Sequence, residues 1–295
     1  MSDVEDSPAA QAEQRALRLL EVLDLQKIEE NLFLGHNEVN RTARLFGGQV
    51  LAQAAQAAYN TVDDLQLHSL HGYFLRAGDV ARPVLFEIER IRDGRSFTTR
   101  RVVGIQSGQA IFSMDVSFQI DEPGFEHAEP MPNVPLPDEL EDDIICAERL
   151  GDDPRLGPMA KIARPFEMRS VFAIGSEAWT QERYFAPTWI RFRAPVDVTD
   201  TVRSRCLLAY ASDMSLVSTA GLPHGQSRNF GGLQMASLDH ALWIHRPVPI
   251  DQWLLFHKRT STAQSSRGMV HADFYTQEGG LVASVTQEGL LRPLA

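Results

Sequence analysis

Phe46-Gly-Gly-Gln-Val-Leu-Ala-Gln-Ala-Ala-Gln-Ala-Ala58 is the stretch on which the fold turns. After the two glycines, Val50, Leu51, Ala54, Ala55 and Ala58 recur at i, i+1, i+4, i+5 and i+8, which predicts a helix buried on a broad face. Alanines carry little bulk, so other elements can wrap closely around such a helix. Four strand-like runs follow, at 67–75, 84–91, 97–106 and 109–119. The last is the clearest: Ala110, Phe112, Met114, Val116 and Phe118 alternate with polar residues. Gly94 and Gly108 fall between runs, where turns are needed. Upstream, Leu17, Leu20 and Leu23 predict an amphipathic opening helix within 11–25.

Beyond residue 120 the pattern breaks. Pro123, Pro130, Pro132, Pro135 and Pro137 precede an acidic Asp138-Glu-Leu-Glu-Asp-Asp143, which reads as a linker or a surface-hugging connection. The expected division is a first unit at 1–120, a connection at 121–160 and a second unit at 161–295. The second unit echoes the first. A helix-like stretch (207–217) is followed by Gln234-Met-Ala-Ser237-Leu-Asp-His-Ala-Leu-Trp243, which matches Leu67-His-Ser69-Leu-His-Gly-Tyr-Phe74 at an offset of 168. Gly279-Gly-Leu-Val-Ala-Ser284 matches Gly108-Gln-Ala-Ile-Phe-Ser113 at an offset of 171. Two similar offsets in one order suggest a duplicated α+β unit, each a meandering antiparallel sheet curled around a helix.

Bulk composition excludes several classes. The 295 residues are 43% hydrophobic and 23% charged, enough to bury a real core. No apolar run approaches the roughly 20 residues of a membrane helix, so no membrane insertion is expected. The acidic, polar start Met1-Ser-Asp-Val-Glu-Asp6 is unlike a secretory signal. Two distant cysteines, Cys146 and Cys206, fit a reducing, cytoplasmic setting. A net charge of −11 argues against a nucleic-acid partner. Charge is nevertheless uneven: seven arginines lie between Arg76 and Arg101, so an anionic ligand can still find a local positive field.

No Gly-x-Ser-x-Gly elbow, phosphate-binding loop, dinucleotide fingerprint or His-Glu-x-x-His pair is present. Gly104-Ile-Gln-Ser107-Gly is one residue out of register for the elbow. His240 and His245 have weak metal spacing and read as structural histidines; no metal or cofactor is expected. Asp213 reads from local pattern as an exposed or capping acid, and Ser237 as a small packed strand residue. Gln287 stands out, because it shares a strand face with Leu281, Ala283 and Val285, and a buried amide must find partners.

Taken together, Phe46-Gly-Gly-Gln-Val50, His68-Ser-Leu-His-Gly-Tyr-Phe-Leu-Arg76, Arg92-Asp-Gly-Arg-Ser-Phe97, Tyr210-Ala-Ser-Asp213, Asp239-His240 with Trp243, His245-Arg-Pro247 and Ala283-Ser-Val-Thr-Gln-Glu-Gly289 resemble the acyl-CoA thioesterase II family. The motifs keep the family's order and span nearly the whole chain. The resemblance implies a double hot-dog fold, an acyl-CoA substrate, a homodimer or higher homo-oligomer, and a catalytic trio at Asp213, Ser237 and Gln287. Some relatives carry threonine where this chain has Ser237; either supplies a hydroxyl.

That trio suits the chemistry. A thioester carbonyl is electrophilic, and a thiol of pKa about 8.5 leaves as thiolate without a strong acid. The reaction needs a base, an oriented water and donors for the oxyanion. Asp213 is the expected base, with Ser237 and Gln287 holding the water; serine as covalent nucleophile is the competing role. Gly47 and Gly48, before a helix start, are candidates either for oxyanion donors or for close packing. Arg76, Arg92 and Arg95 are candidate phosphate contacts, and His68 either lines the site or bonds structurally. Rival readings are a hot-dog enoyl-CoA hydratase, resting on an Asp63-x4-His68 pair, and a silent acyl-binding protein. At the 171 offset Val116 stands for Gln287, and at the 168 offset His71 stands for Asp239, so one working site per chain is expected.

Overall fold

The computed structural model describes residues 8–38, 44–156, 162–225 and 232–294. Helix α1 (Pro8–Leu23) leads into the short strands β1 (Gln26–Glu29) and β2 (Leu32–Gly35). The quoted stretch becomes α2 (Gly47–Tyr59), and every residue from Gly48 to Tyr59 except Gln56 is buried. The four predicted runs appear as β3 (Gln66–Phe74), β4 (Val84–Asp93), β5 (Phe97–Gln106) and β6 (Gln109–Gln119). Gly108, with φ +73°, makes the β5–β6 turn that a Cβ would strain. The spacing of Leu17, Leu20 and Leu23 misplaces the buried stripe of α1. Ala12, Ala16, Leu19 and Leu23 face the core, and Leu17 is 48% exposed.

The remaining elements are α3 (Asp143–Leu150), β7 (Phe166–Ser170), α4 (Glu177–Gln181), β8 (Phe185–Phe192), α5 (Thr201–Ser212), α6 (Leu216–Thr219), β9 (Leu233–Ser237), β10 (Asp239–Ile244), β11 (Leu254–Gln264), β12 (Arg267–Thr276) and β13 (Leu281–Pro293). The helix expected at 207–217 therefore begins earlier and ends at Ser212, with Asp213 as its C-cap. The run expected from Gln234 to Trp243 breaks at Leu238. That residue's N–H bonds Glu288 while its carbonyl accepts from Phe74, so Leu238 hands the chain from one strand neighbour to another.

All strands among the described residues join one antiparallel sheet, ordered β1-β2-β4-β5-β6-β3-β10-β13-β12-β11-β8-β7, with β9 added on β13. The order β2-β4-β5-β6-β3 is mirrored by β8-β11-β12-β13-β10. The two sets meet at the β3–β10 ladder, where Leu70 lies opposite Leu242. Register corrects one offset. Val116 pairs with Arg100 and Leu70, whereas Gln287 pairs with Val270 and lies one step beyond the Thr286–Ala241 pair. Gln287 thus takes the place of Val116, as the 171 offset has it. His240, not Leu238, takes the place of Leu70, so the 168 offset and its His71–Asp239 correspondence do not hold. The shared Ser-Leu was a coincidence of two common residues.

Helices α2 and α5 pack against each other on the inner side of the sheet, within one hydrophobic core. Buried amides on α2 are satisfied rather than stranded: Gln53 donates to the carbonyls of Val22 and His36, and Gln49 to Asn37. The proline-rich segment hugs the surface. Its Pro135 carbonyl accepts from the Trp189 indole at 2.9 Å, and Met131, Val134 and Leu140 cover an outer cluster of Trp189, Trp253, Leu255 and Tyr275.

Ala55 is fully buried on α2, and close-packed interiors accommodate added side-chain volume poorly. Ala55→Leu is expected to lower unfolding stability by about 1–3 kcal/mol, read from the urea midpoint at unchanged m-value.

Candidate active site

The site is built where the end of α5 meets the start of α2. Phe46 supplies no side-chain cap for α2, so the first N–H groups of that helix need an acceptor from elsewhere. Asp213, just past the last turn of α5, provides it: the Gly48 N–H donates to its carboxylate. The two glycines allow the approach. A Cβ on Gly47 would lie 2.8 Å from Asp213 Oδ2, and one on Gly48 would lie 2.5 Å from the Tyr210 carbonyl. Of the two roles expected for these glycines, close packing is the one the contacts display, and the Gly48 N–H is engaged by Asp213.

Asp213 Oδ1 accepts from Gln287 Nε2 at 2.7 Å and from Ser237 Oγ at 3.3 Å. All three predicted residues therefore converge on one carboxylate oxygen. Gln287 comes from the middle of β13 and is fully buried; Ser237 ends β9 and is half-buried. Burial pushes the Asp213 pKa up to about 6, against the pull of hydrogen bonds from Gln287, Ser237 and Gly48. Gln287 Oε1 is buried with no hydrogen-bond partner among the described residues.

Two cavities meet at Ser237. One, of about 310 Å³, is lined by Asp213, Phe46, Tyr210 and Met214. The other, of about 350 Å³, is lined by Val50, Phe74, Ile111 and Arg76. Both include Gly47, Ala236 and Ser237. An elongated ligand can thus cross Ser237 with a limb on either side, one of them passing the carboxylate.

His240 was read as structural, yet it touches the site. Its Nδ1 is 3.1 Å from Gln287 Nε2 and its Nε2 is 2.8 Å from Ser212 Oγ. The signal in the sequence was the one that exposed Gln287: a polar residue alternating with apolar ones, here Leu242 and Ile244. Most other candidates lie apart. Arg76 lines the second cavity and donates to the Ala110 carbonyl, whereas Arg92 and Arg95 sit at the β4–β5 hairpin and line neither. His68 bonds Ser117 at 2.8 Å and Asp63 is exposed, so the hydratase pair is not assembled. His245 bonds Ser284.

An α+β hot-dog fold is the class that this sheet and its helices define. A protein from Alicyclobacillus acidocaldarius, described as having a hot dog fold, superposes with a TM-score of 0.76 at 19% identity, over 94% of this chain and 99% of that one. The acyl-CoA thioesterase profile matches residues 171–290, and the acyl-CoA thioesterase N-terminal domain profile matches residues 36–119. Acyl-coenzyme A thioesterase 8 from Mus musculus is 37% identical, covering 94% of this chain and 90% of its own length. Acyl-CoA thioesterase 2 from Haemophilus influenzae is 34% identical, covering 93% and 96%. The crystal structure of acyl-CoA thioesterase II TesB2 from Mycobacterium marinum has a TM-score of 0.77 at 37% identity, over 94% and 98%. The chain belongs to the acyl-CoA thioesterase family.

The raised pKa of Asp213 has a stability consequence of definite sign. A carboxyl that titrates at about 6 in the fold and at 3.8 unfolded favours the fold below pH 3.8. That contribution is lost as pH rises through 6. Relative to Asp213→Asn, the wild type should therefore lose stability between pH 4 and pH 6.5 and level off above; a flat difference in chemical-denaturation midpoints would contradict it.

Proposed function

We propose that this protein hydrolyses acyl-CoA to a free carboxylic acid and CoA, using water activated at Asp213. The observation that carries this reading is the buried Asp213 carboxylate on the wall of one cavity, bonded by Gln287 and by Ser237, which also lines the second cavity. Asp213 takes one proton as the water oxygen bonds to the thioester carbon. The resulting oxyanion collapses, the C–S bond breaks, and CoA departs as thiolate. The proton on Asp213 then passes to the thiolate or to solvent. Ser237 orients the water, and Gln287 Oε1 accepts its second hydrogen. The acyl chain and the pantetheine arm take the two limbs on either side of Ser237. With a pKa near 6, Asp213 is ionised at neutral pH yet basic enough to accept a proton.

The same reading takes the chain as a double hot-dog, with units at 1–120 and 161–295 joined through 121–160, each half-sheet wrapping one of the helices α2 and α5. Mirrored strand order supports it. So do matching hairpin bonds: the N–H groups of Leu75 and Arg76 both donate to Ile111, and those of His245 and Arg246 both donate to Val282. One active site per chain follows, because Leu70 and Val116 stand where the second half has His240 and Gln287. A cytoplasmic homo-oligomer is the proposed setting; Cys146 and Cys206 are buried free thiols, which suits a reducing compartment.

Thiol release from a panel of acyl-CoAs, followed with a thiol-reactive dye, tests the reaction; no turnover at any chain length would sink it. Asp213→Asn should lower kcat by about 10²–10⁴-fold with the fold intact. Turnover of the wild type should rise with pH along an acid limb near 6, as Asp213 ionises.

A further inference from the structure

We propose that His240 is a positioning residue. As a neutral ring protonated on Nε2, it fixes the Gln287 amide so that the nitrogen faces Asp213 and the carbonyl oxygen is left for the reacting water. This rests on the hydrolytic reading above and extends it to a residue that touches neither cavity.

The hydrogen bonds run in one direction only. Ser212 Oγ is 2.8 Å from the Ala209 carbonyl, which accepts and never donates, so the hydroxyl proton goes there. Ser212 Oγ must then accept from its other partner, His240 Nε2, at 2.8 Å. A proton on Nε2 leaves Nδ1 bare in the neutral ring, ready to accept from Gln287 Nε2 at 3.1 Å. The second amide hydrogen of Gln287 goes to Asp213 Oδ1 at 2.7 Å. Both amide hydrogens are thus committed. The reversed amide would set Oε1 against a carboxylate oxygen and a bare ring nitrogen, all three of them acceptors. One carbonyl on α5, at Ala209, therefore dictates the orientation of an amide on β13 through a serine and a histidine.

The ring is suited to this by its surroundings. His240 is 1% exposed, and burial holds it neutral, with a pKa down to about 3. Although Nδ1 lies 3.9 Å from Asp213 Oδ1, that nitrogen carries no proton and makes no ion pair. Among the described residues, Tyr210 on α5 is a titratable group that acts on Asp213, and it in turn feels Glu38, Arg15 and Arg164. None of these bonds Gln287, so a change at His240 reaches Asp213 through the amide.

Two substitutions separate positioning from packing. Asparagine at 240 places an acceptor near the position of Nδ1; glutamine places its amide near Nε2 and offers Gln287 no fixed acceptor. His240→Gln should lower kcat about 100-fold at nearly unchanged KM, as a misplaced group in the transition state does. It should also move the acid limb of the pH profile upward, because Asp213 loses a fixed donor. His240→Asn should restore most of the kcat and the original limb. Nitrogen-15 spectra of the histidine-labelled wild type should show His240 protonated on Nε2 and bare on Nδ1 from pH 5 to 8. A proton on Nδ1 overturns the proposal whether or not the variants fold. So does equal loss in both variants with an unmoved pH profile, which marks packing alone. Wild-type kcat in a folded His240→Gln, with Asp213→Asn inactive, overturns the role of His240 and leaves the hydrolytic reading standing. A wild type inactive on every acyl-CoA overturns both.

Discussion

A carboxyl group survives in a closed interior only when its environment balances the cost of its charge. Asp213 sits at that balance. Burial favours the protonated acid, while an uncapped helix start, an amide and a hydroxyl favour the anion. The positive end of the α2 dipole faces the group, and the negative end of α5, on which it stands, opposes it. Burial wins by a margin that leaves the pKa near 6. Each contributor ties Asp213 to a different element: α5 carries it, α2 is capped by it, β9 and β13 donate to it. The glycines at 47 and 48 are the condition for all of this, since any side chain there would hold the two helices apart.

The sheet supplies the second requirement, fixed positions for groups far apart in sequence. Gln287 and His240 lie side by side on adjacent strands β13 and β10, and both point toward α5 from the buried face. Their counterparts Leu70 and Val116 are equally buried and apolar. The same backbone ladder therefore serves as plain core in one half and as a polar network in the other. The network tolerates burial because nearly every polar atom in it is paired.

Much of this was legible in the sequence. The α2 helix followed from its apolar spacing, and β3 to β6 fell within a few residues of their expected limits, because alternation and turn glycines are local signals. Gln287 announced itself as an amide among apolar neighbours. Asp213 did not: a residue that caps a helix distant in sequence looks like any acid at a helix end. His240 follows a strand break at Leu238 that no turn residue marks, so its face was hard to establish. Leu17 misled because three leucines outweigh the smaller alanines that form the true stripe. The surface-hugging route of the proline-rich segment depends on Trp189, a contact across more than fifty residues that local pattern does not encode.

The mirrored strand order has a consequence for how the protein comes into being. Strands β4, β5 and β6 find all their partners within the first set, but one edge of β3 is paired only by β10 of the second. The carboxylate, the histidine and the amide all belong to the second set. Until that set is in place, β3 lacks a neighbour, α2 lacks the helix it packs on, and the start of α2 lacks the acceptor that Asp213 brings. The contact between Asp213 and Gln287 is complete only when β13 lies between β10 and β12.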